Sequence, residues 1–200
     1  MDIRKVIDEA LAVLKDGGVI LYPTDTVWGL GCDATNEKAV ARVYEIKRRS
    51  EAKSLVMLAA DLDMVALYIR EIPPMAIDLV EVNDAPMTLI YPGAQHLAAN
   101  AVAQDGSVGM RIPCCQPEQT AADGGGAFCR ELLRRLRRPL VSTSANISGS
   151  PTPKCFKEIP QEIRDAVDYV VPPSLERGAT GRSSQIIKIG LRGEVEIIRP

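Results

Sequence analysis

The stretch "VILYPTDTVWGLG", residues 19–31, limits the possible folds more than any other part of this chain. Val19-Ile20-Leu21 is a short apolar run behind a glycine pair, the pattern of a buried strand. It breaks at once into three hydroxyls, a carboxylate, an indole and two glycines. Loops at strand ends carry function disproportionately often, so this strand end is the first candidate site. Similar runs recur in "SLVMLAA", "MTLIYPG", "SVGMRIP", "PLVSTSAN", "DYVVPP" and "SQIIKIGLRGEVEII", the last with a turn at Gly193.

Helical segments separate these runs. "DIRKVIDEALAVLKDGG" spaces Ile3, Val6, Ile7, Ala10, Leu11 and Leu14 on one face, with Asp2 as cap and Gly17-Gly18 as stop. Asn36 caps a second helix, "EKAVARVYEIKRR". Pro73-Pro74 divides "DLDMVALYIREIPP" from "PMAIDLVEV". Phe128, Leu132 and Leu136 give an arginine-rich helix one apolar face. The alternation is not strict, and the ends of the sheet region read as hairpins. This predicts one α/β domain over residues 1–200, with a twisted mixed parallel/antiparallel sheet and flanking helices. "CCQPEQTAADGGGAF", 114–128, is expected to be a flexible surface loop.

Composition excludes several classes. No apolar run approaches the ~18 residues that cross a membrane, and the opening "MDIRKVIDEA" has no apolar signal core, so a cytoplasmic protein is expected. Cys32, Cys114, Cys115, Cys129 and Cys155 form no CxxC pair, and His96 is the single histidine, expected to be structural or at the surface. No metal site is expected. The net charge of −2 leaves only local basic patches, at "KRR" 47–49 and "RELLRRLRR" 130–138.

Phosphate chemistry needs cations and oriented amides. Neither GxxxxGK[ST] nor GxGxxG occurs. Asp123-Gly124-Gly125-Gly126 before a helix is a weak phosphate cradle, a glycine run in a long loop being more often a flexible one. Lys47, Arg49 and Lys53 cluster where a helix gives way to a strand. They either complement the helix dipole or line an anion pocket. "VSTSANISG" offers four hydroxyls and an amide that serve a ligand or a plain turn. Arg111, inside an apolar strand, must face a carboxylate of the protein or of a ligand, because an unpaired buried charge is costly. Ser183 and Ser184 open another strand. Together these segments fit one pocket lined from several directions.

In combination, "LYPTDTVWGLGCDATN", "VYEIKRRSEAKSLVML", "SVGMRIP", "PLVSTSANISG" and "SSQIIKI" resemble the YrdC-type threonylcarbamoyl-AMP synthase family, over about residues 3 to 199. The resemblance implies a concave basic cavity in the mixed sheet. It implies synthesis of threonylcarbamoyl-adenylate and pyrophosphate from L-threonine, bicarbonate and ATP, with Mg2+ arriving on ATP and no permanent cofactor. A downstream protein complex would transfer the threonylcarbamoyl group to the adenosine next to the anticodon of tRNA.

Carried over by motif, Lys47, Arg49 and Lys53 are the catalytic cations, and Arg49 and Lys53 also contact ATP. Ser107, Asn146, Lys154 and Arg199 match further ATP contacts. Thr26, Arg111, Ser142, Ser144 and Ser184 match threonine contacts, Arg111 pairing with the amino-acid carboxylate. The family's KP is Lys53-Ser54 here, a threonine-binding histidine of some members falls on Leu58, and Trp28 stands where tyrosine is common. Two alternatives accompany this reading: a non-catalytic paralogue binding double-stranded RNA or tRNA, and a carbamoyl-transfer domain like those within hydrogenase maturation proteins.

Overall fold

A computed structural model of the protein describes residues 1–50, 55–114 and 119–200. Helix α1, Ile3–Lys15, starts where the Asp2 carboxylate accepts the amides of Arg4 and Lys5, and it buries Val6, Ile7, Ala10, Leu11 and Leu14. Each of the Val, Ile and Leu side chains contributes about 1.5–3 kcal/mol on leaving water. Gly17, at φ +81°, turns the chain into β1, Ile20–Tyr22. Strand β2, Gly29–Gly31, returns antiparallel to β1. Its glycines answer close contacts: a Cβ on Gly31 would lie 2.3 Å from the Val141 carbonyl oxygen and 2.7 Å from the Tyr22 ring.

Helix α2, Glu37–Lys47, is capped by Asn36, whose side chain accepts the Ala39 amide. It ends with Arg48 in the left-handed region at φ 49°, where the amides of Arg48 and Arg49 bond back to Glu45 and Tyr44. This closure satisfies the last carbonyls and turns Arg49 off the helix. Strand β3, Val56–Leu58, follows, then α3, Leu62–Tyr68, and α4, Pro74–Val82. The remaining elements are β4, Met87–Tyr91, β5, Val108–Arg111, α5, Gly125–Leu136, β6, Leu140–Ser144, α6, Gln161–Ala166, β7, Tyr169–Val170, β8, Gln185–Ile189, and β9, Val195–Arg199.

The strands form a nine-stranded sheet in the order β7-β1-β2-β6-β3-β5-β4-β8-β9. β1 and β7, β3 and β5, and β4 and β8 run parallel, while the other neighbours are antiparallel. The expected mixed α/β sheet is present. Hairpins β1–β2 and β8–β9 both form, but β7 covers the outer edge of β1, leaving β8–β9 as the one hairpin at a sheet edge.

The surface loop expected over 114–128 stops short in the structure, at Asp123. Gly125, Gly126, Ala127 and Phe128 are buried and already belong to the first turn of α5. The triple glycine is there for contact rather than flexibility. A Cβ on Gly124 would lie 2.4 Å from the Arg177 carbonyl oxygen, on Gly125 2.4 Å from that of Thr24, and on Gly126 2.2 Å from that of Cys114. Residues 115–118 of that stretch, Cys115 included, lie outside the described residues.

Candidate functional site

One face of the sheet forms a floor. Register places Ser142 beside Val56, Val56 beside Gly109, and Gly109 beside Ile90. Thr88 adjoins Ile186, and Ile186 adjoins Arg199. Alternate residues of a strand share a face, so Ser144 and Arg111 point the same way as Ser142 and Gly109. Over this floor lies a cavity of about 280 Å³, walled by Thr24, Thr26, Trp28, Arg49, Ser183 and Ser184. A second depression of about 280 Å³, lined by Lys47, Asn146 and Ser148, shares Arg49 and Ser144 with it.

The 22–31 segment builds the deep wall. The Thr24 hydroxyl accepts the amides of Thr26 and Val27 and donates to the Val27 carbonyl, closing a tight turn. Its hydroxyl also lies 2.8 Å from that of Thr26. Part of the hydroxyl cluster therefore shapes the loop, and Thr24 and Thr26 both face the cavity.

Between them Asp25 turns inward. Arg111 Nη1 donates to both its carboxylate oxygens, at 2.5 and 2.7 Å, with side-chain exposures of 4% and 7%. The carboxylate that the strand demanded is thus the protein's own, and sequence reasoning missed Asp25. Burial opposes the Arg111 charge, but the adjacent Asp25 carboxylate outweighs it and raises the guanidinium pKa. Arg111 Nη2 lies 3.4 Å from the Thr26 hydroxyl, and Arg111 remains part of the cavity wall.

The C-terminal segment closes the other side. Thr180 and Gly181 amides bond to the carbonyls of Asp25 and Thr26, which brings Ser183 and Ser184 over the floor. The Ser184 and Thr88 hydroxyls are 2.8 Å apart. Pairing of β8 with β9 slips by one residue between Ile186 and Ile187, so Ile198 is extra. That bulge turns Arg199 onto the cavity face, where Nε and Nη2 both donate to the Ser184 carbonyl.

Lys47 lines the second depression but is held within the protein. It is 1% exposed, and Nζ donates to the carbonyls of Ser144 and Asn146, at 2.5 and 2.7 Å, and to Asn146 Oδ1 at 3.3 Å. An ammonium has three protons, and here all three go to the loop after β6. Ser144 Oγ donates to the same Oδ1, and Asn146 Nδ2 donates to the Ser150 carbonyl. Lys47 clamps the Ser144–Asn146 loop rather than reaching into the cavity. Burial, with a smaller push from Arg49, lowers its pKa to about 8. Burial also lowers the pKa of Arg49.

A family model for the Sua5/YciO/YrdC domain, described as telomere recombination, matches residues 12–200. The chain belongs to the Sua5/YciO/YrdC family. It is 32% identical over 194 residues to the threonylcarbamoyl-AMP synthase of Pseudomonas aeruginosa strain UCBPP-PA14, covering 96% of this chain and 95% of that one. It is 30% identical over 173 residues to the enzyme of the same name from Idiomarina loihiensis, covering 85% and 86%. Among solved structures, P. abyssi Sua5 complexed with L-threonine superposes with a TM-score of 0.79 at 24% identity, over 94% of this chain and 52% of that longer one. E. coli YciO superposes with 0.76 at 22% identity, over 98% and 88%. The two superpositions show a shared fold.

The remaining family positions fall less centrally. Ser107 Oγ and amide both bond to Asp105 Oδ1, at 2.5 and 3.0 Å, and Ser107 does not line either cavity. Lys154 is exposed and also lines neither. Leu58 is fully buried on the floor's face, in register with Arg111. Lys53 lies outside the described residues. His96 is exposed.

Several cations of the basic helix are engaged within the fold. Arg130 donates to the Gln119 carbonyl, Arg135 pairs with Asp8, and Arg138 pairs with the buried Asp33. Among the described residues, no three His, Cys, Asp or Glu side chains lie together as a metal site, and no helix is long and apolar enough to cross a membrane.

Proposed function

We propose that this chain is a threonylcarbamoyl-AMP synthase, a nucleotidyltransferase that joins L-threonine, bicarbonate and ATP. The observation that carries this reading is the pair of adjoining depressions. One holds Arg111 among the hydroxyls of Thr26, Ser142 and Ser184, the other is bounded by Lys47, Arg49, Ser144 and Asn146, and Arg49 and Ser144 belong to both. An amino acid in the first and a triphosphate in the second would meet at that boundary. Holding two reactants in line converts a bimolecular step into an effectively unimolecular one.

Threonine's amine attacks dissolved carbon dioxide and releases a proton, or attacks bicarbonate with loss of its hydroxyl and an amine proton as water, to form a carbamate. A carbamate oxygen then attacks the α-phosphorus of ATP. The bond to the bridging oxygen breaks, and pyrophosphate leaves with the electron pair. Arg111, with Nη1 taken by Asp25, offers its Nη2 edge to the amino-acid carboxylate. Arg49, Lys53 and Arg199 offset charge on the phosphates, Asn146 and Ser144 orient them, and Lys47 holds that loop in place. Ser107 and Lys154 lie outside both depressions, so their contact with ATP requires a nucleotide that extends beyond them. Mg2+ enters with ATP. The product serves a downstream transferring complex that modifies tRNA in the cytoplasm.

The test is pyrophosphate release by the purified protein, omitting each substrate in turn. Release that needs ATP, L-threonine and bicarbonate together is the expected result. No release, with salt-dependent binding of tRNA or double-stranded RNA, would instead identify a binding paralogue.

A further inference from the structure

Gly109 sits in the middle of β5, between β3 and β4, and is buried. Glycine in a strand interior weakens it and marks a close approach, either of another backbone or of a ligand. The buried glycines of this protein differ on that point: at Gly29 a Cβ would press the Tyr22 ring at 3.2 Å and Ser142 Oγ at 3.4 Å. At Gly31, Gly124, Gly125 and Gly126 a Cβ would lie 2.2–2.4 Å from a carbonyl oxygen, so the chain's own backbone demands glycine there. At Gly109 no backbone atom stands in the way. A Cβ would meet only side chains: Thr88 Cγ2 at 3.3 Å, Val56 Cγ2 at 3.6 Å and Ile90 Cγ1 at 3.9 Å. Its φ is not positive either. The backbone conformation does not require glycine here, and of the neighbours only the Thr88 methyl is tight against such a Cβ, yet the absent side chain would project from the cavity floor.

We infer that Gly109 is a specificity-determining residue, whose missing side chain leaves a notch in the floor for the β-branched side chain of the amino-acid substrate. The inference rests on the amino-acid reading of this cavity. The neighbours fit that occupant. Val56 and Ile90 flank the notch with apolar surface, Thr88 sets its methyl against it, and the paired hydroxyls of Thr88 and Ser184 lie at its rim. Arg111, two residues along the same strand on the same face, fixes the end of the ligand that carries the carboxylate. A branched β-carbon bearing one methyl and one hydroxyl presents an apolar face to the notch and a polar face to the hydroxyl pair.

The experiment compares the wild type with Gly109→Ala, reading the dissociation constants of L-threonine and L-serine by calorimetry and the thermal midpoint in parallel. Filling a fitted space is penalised steeply. L-threonine should therefore bind about tenfold or more weakly, L-serine, which lacks the methyl, about threefold weaker at most, and the midpoint should hold or rise. Equal weakening of both amino acids, no weakening, or a fall in the midpoint would overturn the inference. Gly109→Ala combined with Thr88→Ser removes the methyl that the new Cβ would press. Persistence of the threonine defect supports a filled notch, and its rescue would mean that the change acts through Thr88 and would overturn it.

Pyrophosphate release separates the two readings. A wild type that binds threonine through this notch yet releases no pyrophosphate overturns the synthase proposal alone. A wild type that releases it, with a variant that discriminates as before, overturns the role of Gly109 alone.

Discussion

Two buried cations, Arg111 and Lys47, stand on either side of the candidate site and are compensated in opposite ways. Arg111 faces a carboxylate, Asp25, through two short hydrogen bonds. Among the described residues Lys47 faces no carboxylate, and neutral oxygens of Ser144 and Asn146 accept its protons. An adjacent carboxylate holds the proton on a buried cation, whereas burial without one loosens it. Accordingly the pKa of Arg111 is raised and that of Lys47 falls to about 8. The first arrangement suits a permanent anchor for an anion, and the second suits a clamp for a loop.

Breaking the ion pair should have the largest effect. Arg111→Met strands Asp25 as an unpaired buried carboxylate and should cost about 3–5 kcal/mol in urea denaturation. Adding Asp25→Asn should recover much of that stability while leaving amino-acid binding abolished, which separates the structural role of the pair from that of Arg111 as an anchor.

Lys47→Met should cost less, roughly 1–3 kcal/mol, because it leaves neutral acceptors without donors rather than a stranded charge. Its kinetic signature should be a raised KM for ATP with the dissociation constant of L-threonine little changed, since the clamp acts on the loop beside the phosphates. A substitution that leaves the KM for ATP unaltered would show that the Ser144–Asn146 loop holds its shape without the lysine.

The smallest effect sharpens the comparison through pH. Lys47 binds its proton more weakly folded, near 8, than its ordinary value of 10.5. Between those values the unfolded chain holds more protons, so this residue makes stability rise with pH across that window and gives no slope below it. The wild type should show this contribution in denaturation from pH 8 to 10, and Lys47→Met should lose it. An unchanged slope would place the titration elsewhere.

Much of the fold was legible in the residues themselves. Helical spacing and caps located α1 and α2, down to the carboxylate of Asp2 and the amide of Asn36, because those are contacts within one or two turns. Short apolar runs located most strands for the same reason. Strand β2 was not legible: Gly-Leu-Gly has no strand preference, and only the fold shows the Val141 carbonyl and the Tyr22 ring standing where its side chains would be. Helix α6 escaped notice in a short polar segment. The glycines at 124–126 were read as loop because composition alone does not distinguish flexibility from close packing.

The site divides along the same line. Sequence by itself determined the chemical inventory: a hydroxyl-rich strand end, cations after α2, an arginine inside a strand that required a carboxylate, and a polar loop after β6. It could not say which carboxylate, because Asp25 and Arg111, 86 residues apart in the chain, meet only once the sheet has assembled. Nor could it say that Lys47 points at the loop instead of the cavity, or that a one-residue slip in β9 would turn Arg199 inward. Local pattern sets which face of an element is apolar. Which atoms then meet across that face depends on sheet order and register, and those are set by packing among distant segments.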